Sequence, residues 1–208
     1  MAFIKHHCSL ILIYHDGVKA RRNYTKVRRA EAETETRNRI VEALIELHEE
    51  VGPSRTSIRA VAERAGVERL TVYRHFPDEN AMMRACSSRW AEINPPPAIP
   101  GFRDGDPLAS CRRLLLALYA WYRRNARMLG HVAADLDRMP AVREVFASTE
   151  TYLDALASAL DRRWPARNKH RLATLRHAVE FPTWRSLDRL TGSDRRSVAL
   201  VIDWLRAR

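Results

Sequence analysis

The 208-residue chain predicts an all-α fold. Three observations predict it. Ala, Leu, Arg and Glu, all good helix formers, dominate the composition, and glycine is scarce at 7 residues. Apolar residues recur at three- and four-residue spacing through most of the chain, as they do on helices with one buried face. Alternating apolar and polar runs, the mark of half-buried strands, are nearly absent. The length suits one or two domains with enough apolar material for a core.

Taken in order, residues 1–30 read as a basic, disordered tail. They show no helical pattern, and "LILIY" at residues 10–14 is far short of the roughly 18 residues a membrane span needs. No small-residue cleavage site follows it, so it is a poor signal peptide, and the first part also reads as an over-extended start. His6, His7 and Cys8 are adjacent in this tail, a poor geometry for a metal. A first helix is expected over about 33–50, where Ile40, Leu44, Leu47 and Val51 share a face and Gly52-Pro53 stops it. Thr56 or Ser57 can cap a short second helix carrying Ile58, Val61 and Ala62. Ala65-Gly66 makes a tight turn into "ERLTVYRHF", and Asp78 can cap a fourth helix reaching residue 92.

Residues 93–107, "INPPPAIPGFRDGDP", hold five of the ten prolines and two glycines, and read as a linker. Nine consecutive apolar residues at 114–122 then imply a helix buried on nearly all sides. A short element over about 130–138 follows, and next a helix on which Val142, Phe146, Leu153, Leu156 and Leu160 share a face. Two final helices are expected over about 168–190, kinked by Pro182, and 193–206, with Gly192 between them. The predicted domains are therefore a tail at 1–30, a smaller helical unit at 31–92, a linker at 93–107 and a larger helical domain at 108–208.

The net charge of +11 favours a polyanionic partner. Its distribution is uneven. Residues 1–30 carry +6, residues 31–90 carry −2 and residues 91–208 carry +7. Nucleic-acid contact by the middle segment must therefore come from placement rather than bulk charge. Three cysteines, Cys8, Cys86 and Cys111, match no metal or redox spacing, and a reducing, cytoplasmic setting is the simplest expectation. No nucleophile elbow, phosphate loop or metal constellation is present, so no enzyme, catalytic residue or cofactor is expected.

Residues 56–76 fit a helix-turn-helix. Val61, Ala62, Ala65, Val67, Val72 and Phe76 can close a miniature core. That leaves Arg69, Leu70, Thr71, Tyr73, Arg74 and His75 on the second helix's other faces. A single helix fits the major groove, about 12 Å wide. Arg can donate two hydrogen bonds to guanine, Thr and Leu can pack on a thymine methyl, and Tyr and His can donate to phosphate.

The stretch "TSIRAVAERAGVERLTVYRHFPDENAMM" resembles the DNA-binding segment of the tetracycline-repressor (TetR) family of bacterial regulators. The shared features are the Thr-Ser start, "A..AGV", "TVYRHF" and the capped fourth helix, over about residues 36–86. "VEFPTWRSL" at 179–187 also looks like a segment common late in family members. The resemblance implies a ligand-responsive repressor that binds a palindromic operator on double-stranded DNA as a homodimer. Thr56 and Ser57 would hold phosphates, Arg69, Leu70 and Thr71 would face bases, and Tyr73 and His75 would grip the backbone, with Arg74 beside them. Three residues depart from the family pattern. Glu68 stands where a small cap is usual, Leu70 is bulkier than usual, and Glu79 replaces a basic residue. They imply modest affinity or an unusual operator, for which Arg21, Arg22, Lys26, Arg28 and Arg29 of the tail could compensate.

The resemblance also implies a pocket in the larger domain, with Met83, Trp90, Tyr119, Trp121, Tyr122 and Phe146 as lining and His131 and Asp135 as polar groups. An aromatic lining suits a hydrophobic or aromatic small molecule. It implies dimerisation through the last two helices, where Leu175, Val179, Trp184, Leu187, Val198, Ile202 and Leu205 offer apolar faces and Trp204 a further anchor. The alternative is a DNA-binding regulator without a small-molecule ligand, constitutive or controlled by a protein partner.

Overall fold

The computed structural model describes residues 8–99 and 105–206, with side chains from residue 24 onward except residue 25. The described residues form ten α-helices and no strand: α1 (Cys8–Val51), α2 (Ile58–Ala65), α3 (Arg69–His75), α4 (Glu79–Ile93), α5 (Pro107–Arg124), α6 (Ala126–Asp135), α7 (Pro140–Asp161), α8 (Lys169–Ala178), α9 (Phe181–Thr191) and α10 (Asp194–Arg206). A single 3-10 turn, Pro53–Arg55, joins α1 to the extended residues before α2.

Helix α1 begins at Cys8, so the expected disordered tail is corrected over its helical part. Extending an existing helix fixes one residue per new hydrogen bond and avoids the nucleation cost, and Ala, Arg, Lys and Glu tolerate it well. Residues 26–39 are exposed apart from half-buried Thr36, and burial starts at Ile40. His6 and His7, and the side chains of Cys8, Arg21 and Arg22, lie outside the described residues.

The first core joins Ile40, Leu44 and Leu47 of α1 to Val61, Ala62 and Ala65 of α2 and to Val72 and Phe76 at α3. It explains the short second helix. Ser57 Oγ accepts the Ala60 N–H at 3.2 Å and starts α2, and Gly66 ends it at φ +64°, where a β-carbon is disfavoured. Asp78 Oδ1 caps α4 through the Ala81 N–H at 2.7 Å.

The second core is built on α5. Leu114, Leu115, Leu118, Tyr119, Trp121 and Tyr122 are buried against α7, α8, α9 and α10. Two expectations need correction here. The single kinked helix over 168–190 is two helices, α8 and α9, parted at Val179 and Glu180. Pro182 sits in the first turn of α9, where its missing N–H costs nothing. The residues expected at a dimer interface, Leu175, Val179, Trp184, Leu187, Val198, Ile202 and Leu205, are all buried inside the protomer, at 0–9% exposure. Helical periodicity marks the stripe facing the most apolar neighbour, and here that neighbour is α5 of the same chain.

Two elements tie the cores together. Trp90 of α4 packs against both, and Met128 of α6 belongs to the first core. The proline-rich segment is also fastened down. Trp121 Nε1 donates to the Asn94 carbonyl at 3.1 Å, and Tyr152 Oη donates to the Pro97 carbonyl at 2.7 Å.

Candidate functional site

Helix α3 is held by its buried face and displays the rest. Val72 and, just past the helix, Phe76 are at most 1% exposed, and Arg37 of α1 lies over the Phe76 ring, 4.9 Å from its centroid. Outward stand Arg69, Leu70, Tyr73 and Arg74, with Thr71 and His75 half-buried at the flanks. Leu70 is 76% exposed, a cost in water that no contact within the chain offsets. Spacings of four residues put Arg69 with Tyr73 and Leu70 with Arg74 along one surface.

The acidic excess of residues 31–90 largely faces elsewhere. Arg64 of α2 bonds Glu46 and Glu50 of α1 at 2.9–3.0 Å. Arg89 of α4 bonds Glu42 and Glu92, and Arg59 bonds Glu63. Arg69 and Arg74 make no ion pair among the described residues, so no described carboxylate neutralises the cations on α3. Before α2, Thr56 Oγ1 donates to the Gly52 carbonyl at 2.9 Å, whereas Ser57 Oγ acts as an acceptor in its cap. Ser57 thus keeps a hydroxyl proton for a phosphate, and Thr56 would have to give up its internal bond.

A cavity of about 440 Å³ lies between α4, the proline-rich segment, α5, α6, α7 and the α8–α9 junction. Trp90, Trp121, Tyr122 and Phe146 line it together. A smaller cavity of about 90 Å³ adjoins it through the shared residues Trp90 and Phe146, and Met83 lines this one. Tyr119, expected in the lining, is instead a core residue with 0% exposure whose hydroxyl donates to the Ala178 carbonyl at 2.8 Å. The sequence reading missed Tyr152, Phe181, Arg176 and Glu180, which also line the larger cavity. The one signal for the last three was the Glu-Phe-Pro break that opens the α8–α9 junction there.

His131 and Asp135 line neither cavity. They serve the junction between the two cores. Asp135, expected as a polar group of the pocket, is 4% exposed and accepts the Ser54 N–H at 2.9 Å, holding the 3-10 turn ahead of α2 to α6. The His131 ring lies 3.1 Å from where a β-carbon on Gly52 would stand. His48, beside them, is 5% exposed, and its Nδ1 contacts Cys86 Sγ at 3.4 Å. Burial holds the His48 imidazole down at about 4 against the opposing pull of the Asp135 charge. Burial also pushes the thiols of Cys86 and Cys111 up to about 12, which leaves them unreactive.

A short helix held from behind, exposing arginine, leucine and tyrosine after a glycine turn, defines a helix-turn-helix DNA-binding protein. Residues 40–86 match the model of the bacterial regulatory proteins, tetR family. These are DNA-binding regulators and not enzymes. The chain is 28% identical over 130 residues to the HTH-type transcriptional repressor KstR of Mycolicibacterium smegmatis, covering 62% of this chain and 57% of that protein. The match thus spans just over half of that repressor's length.

Among solved structures, a transcriptional regulator from Rhodococcus sp. Rha1 superposes with a TM-score of 0.59 at 21% identity, covering 81% of this chain and 95% of that one. The multidrug binding protein EbrR, complexed with imidazole, gives 0.55 at 24% identity, covering 79% and 87%. At these identities the two likenesses concern the fold alone. No helix among the described residues is long and apolar enough to cross a membrane.

Proposed function

We propose that the protein is a homodimeric repressor that reads a palindromic operator through α3 and releases it when a hydrophobic or aromatic small molecule enters the large cavity. The observation that carries the reading is the surface of α3. An exposed Leu70 between two unneutralised arginines is costly in water and useful against base edges. In this reading Arg69, Leu70 and Thr71 face bases, while Ser57, Tyr73, Arg74 and His75 hold the backbone. The similarity to the repressor KstR supports the sign of regulation. The cavity supports an effector, as does the printed description of EbrR as a multidrug binding protein.

Ligand and operator would be linked through α4 and α6. Both help wall the cavity, and α6 holds the turn before α2 through Asp135. A ligand that fits one arrangement of these helices better than the other shifts the population between them. The dimer would form through the outer faces of α9 and α10, where Leu190, Leu200 and Trp204 remain exposed.

The test is selection of bound sequences from random duplex DNA at near-physiological salt, using the full chain and a version lacking residues 1–30. Among the described residues burial begins at Ile40, beyond the deleted segment. A palindrome recovered by both versions is the expected result, with the shorter one binding more weakly because it has lost basic residues. Recovery of no motif by the full chain would refute sequence reading by α3.

A further inference from the structure

The large cavity has a chemistry narrower than "hydrophobic". Its aromatic walls form a continuous chain of ring contacts: Trp90 to Trp121 at 5.8 Å, Trp121 to Tyr122 at 5.4 Å, and Tyr122 to Phe181 at 5.4 Å. The polar atoms of Trp121 and Tyr122 are already satisfied by backbone carbonyls. Tyr122 Oη donates to the Val179 carbonyl and Trp121 Nε1 to the Asn94 carbonyl. The walls therefore offer ring faces, and the electron-rich faces of Trp and Tyr attract cations.

The charged groups point the same way. Among the described residues the cavity is lined by one basic residue, Arg176, and two acidic ones, Glu150 and Glu180. Arg176 is already committed: its Nε donates to Asp154, and its Nη1 donates to Glu180 Oε1 at 2.9 Å. Asp154 and Glu180 share that one guanidinium, and Glu180 Oε2 also stands 3.4 Å from His177 Nδ1, so two carboxylates face one permanent cation. Glu150 makes no ion pair among the described residues. An anionic ligand would meet the Glu150 carboxylate and an arginine already bonded to two carboxylates, whereas a cation would meet aromatic rings and Glu150.

We propose that the cavity is a site for a planar lipophilic cation, with Glu150 and Glu180 selecting against carboxylate ligands. This rests on the reading of the cavity as an effector site. The test holds the ring system constant and varies only the charge. Pyrenemethylamine, protonated at neutral pH, pyrenemethanol and pyrenecarboxylate are titrated into the full-length protein at low salt, and binding is followed by calorimetry. The amine is expected to bind tightest and the carboxylate weakest, with roughly tenfold or more between them. Glu150→Gln and Glu180→Gln should each narrow that gap about threefold, and the first lies on an exposed position where refolding is not at issue. Equal binding of all three, or preference for the carboxylate, would overturn the charge selection and leave the effector reading standing. Failure of all three to bind would overturn both.

Discussion

At the scale of single residues, Leu70 makes the sharpest demand. If it packs on a thymine methyl, Leu70→Ala should cost about 1 kcal/mol, roughly fivefold in operator affinity, and flatten preference at one base pair. Replacing the matching thymine by uracil should weaken the native protein by a similar factor and leave the alanine variant unchanged. Binding titrations on the selected operator would check both. Gly66 carries a different burden. At φ +64° an alanine is strained by about 1 kcal/mol, and its β-carbon would meet only Arg39 Nη1, at 3.8 Å. Gly66→Ala should therefore lower the unfolding midpoint through the backbone alone, with no steric contribution.

At the scale of elements, the contact between α6 and the turn before α2 is the joint to break. The Asp135 carboxylate accepts the Ser54 N–H across 81 residues of sequence. In Asp135→Ala that partly buried hydrogen bond is lost, at a cost of about 1 kcal/mol. The expected outcome is weaker operator binding and a blunted response to whatever ligand fills the cavity, read by titrating operator with and without that ligand. Full coupling in this variant would show that the signal travels through α4 alone. The outer faces of α9 and α10 make a separate prediction. Leu200 and Trp204 are 41% and 38% exposed, so Leu200→Glu with Trp204→Arg should leave the fold intact. Sedimentation should report half the native mass, and operator binding should fall with it.

For the whole molecule, pH reports on the junction between the two cores. His48 has its folded value held at about 4 against an ordinary 6.5. Above pH 6.5 the imidazole is neutral in both states and contributes no pH dependence. As pH falls from 6.5 towards 4, only the unfolded chain takes up the proton, so stability drops, by on the order of 3 kcal/mol in all. Below about 4 both states are protonated and this loss levels off. Asp135 and the Cys86 thiol face the same ring and remain in place in His48→Gln. That variant should remove this part of the slope in denaturant titrations between pH 6.5 and 4.

The sequence by itself determined the helical class, the helix-turn-helix and the resemblance to the family. Those depend on local signals: a cap at Ser57, a left-handed glycine at 66, and a short helix whose apolar residues fall on one side. Aromatic residues of the larger domain were legible as apolar, and Trp90, Trp121, Tyr122 and Phe146 do share a cavity. Only the tertiary structure decided which apolar faces look inward. Helical periodicity identifies a buried stripe and is silent on what buries it, so Leu175 and Ile202 could be core or interface until α5 was seen to cover them. The same holds for polar groups. Asp135 ends a helix next to a turn, yet it is 4% exposed and holds Ser54, a residue of the 3-10 turn 81 positions earlier. Contacts between residues far apart in the chain leave no periodicity to read, and those contacts set the cavity's charge and the joint between the two cores.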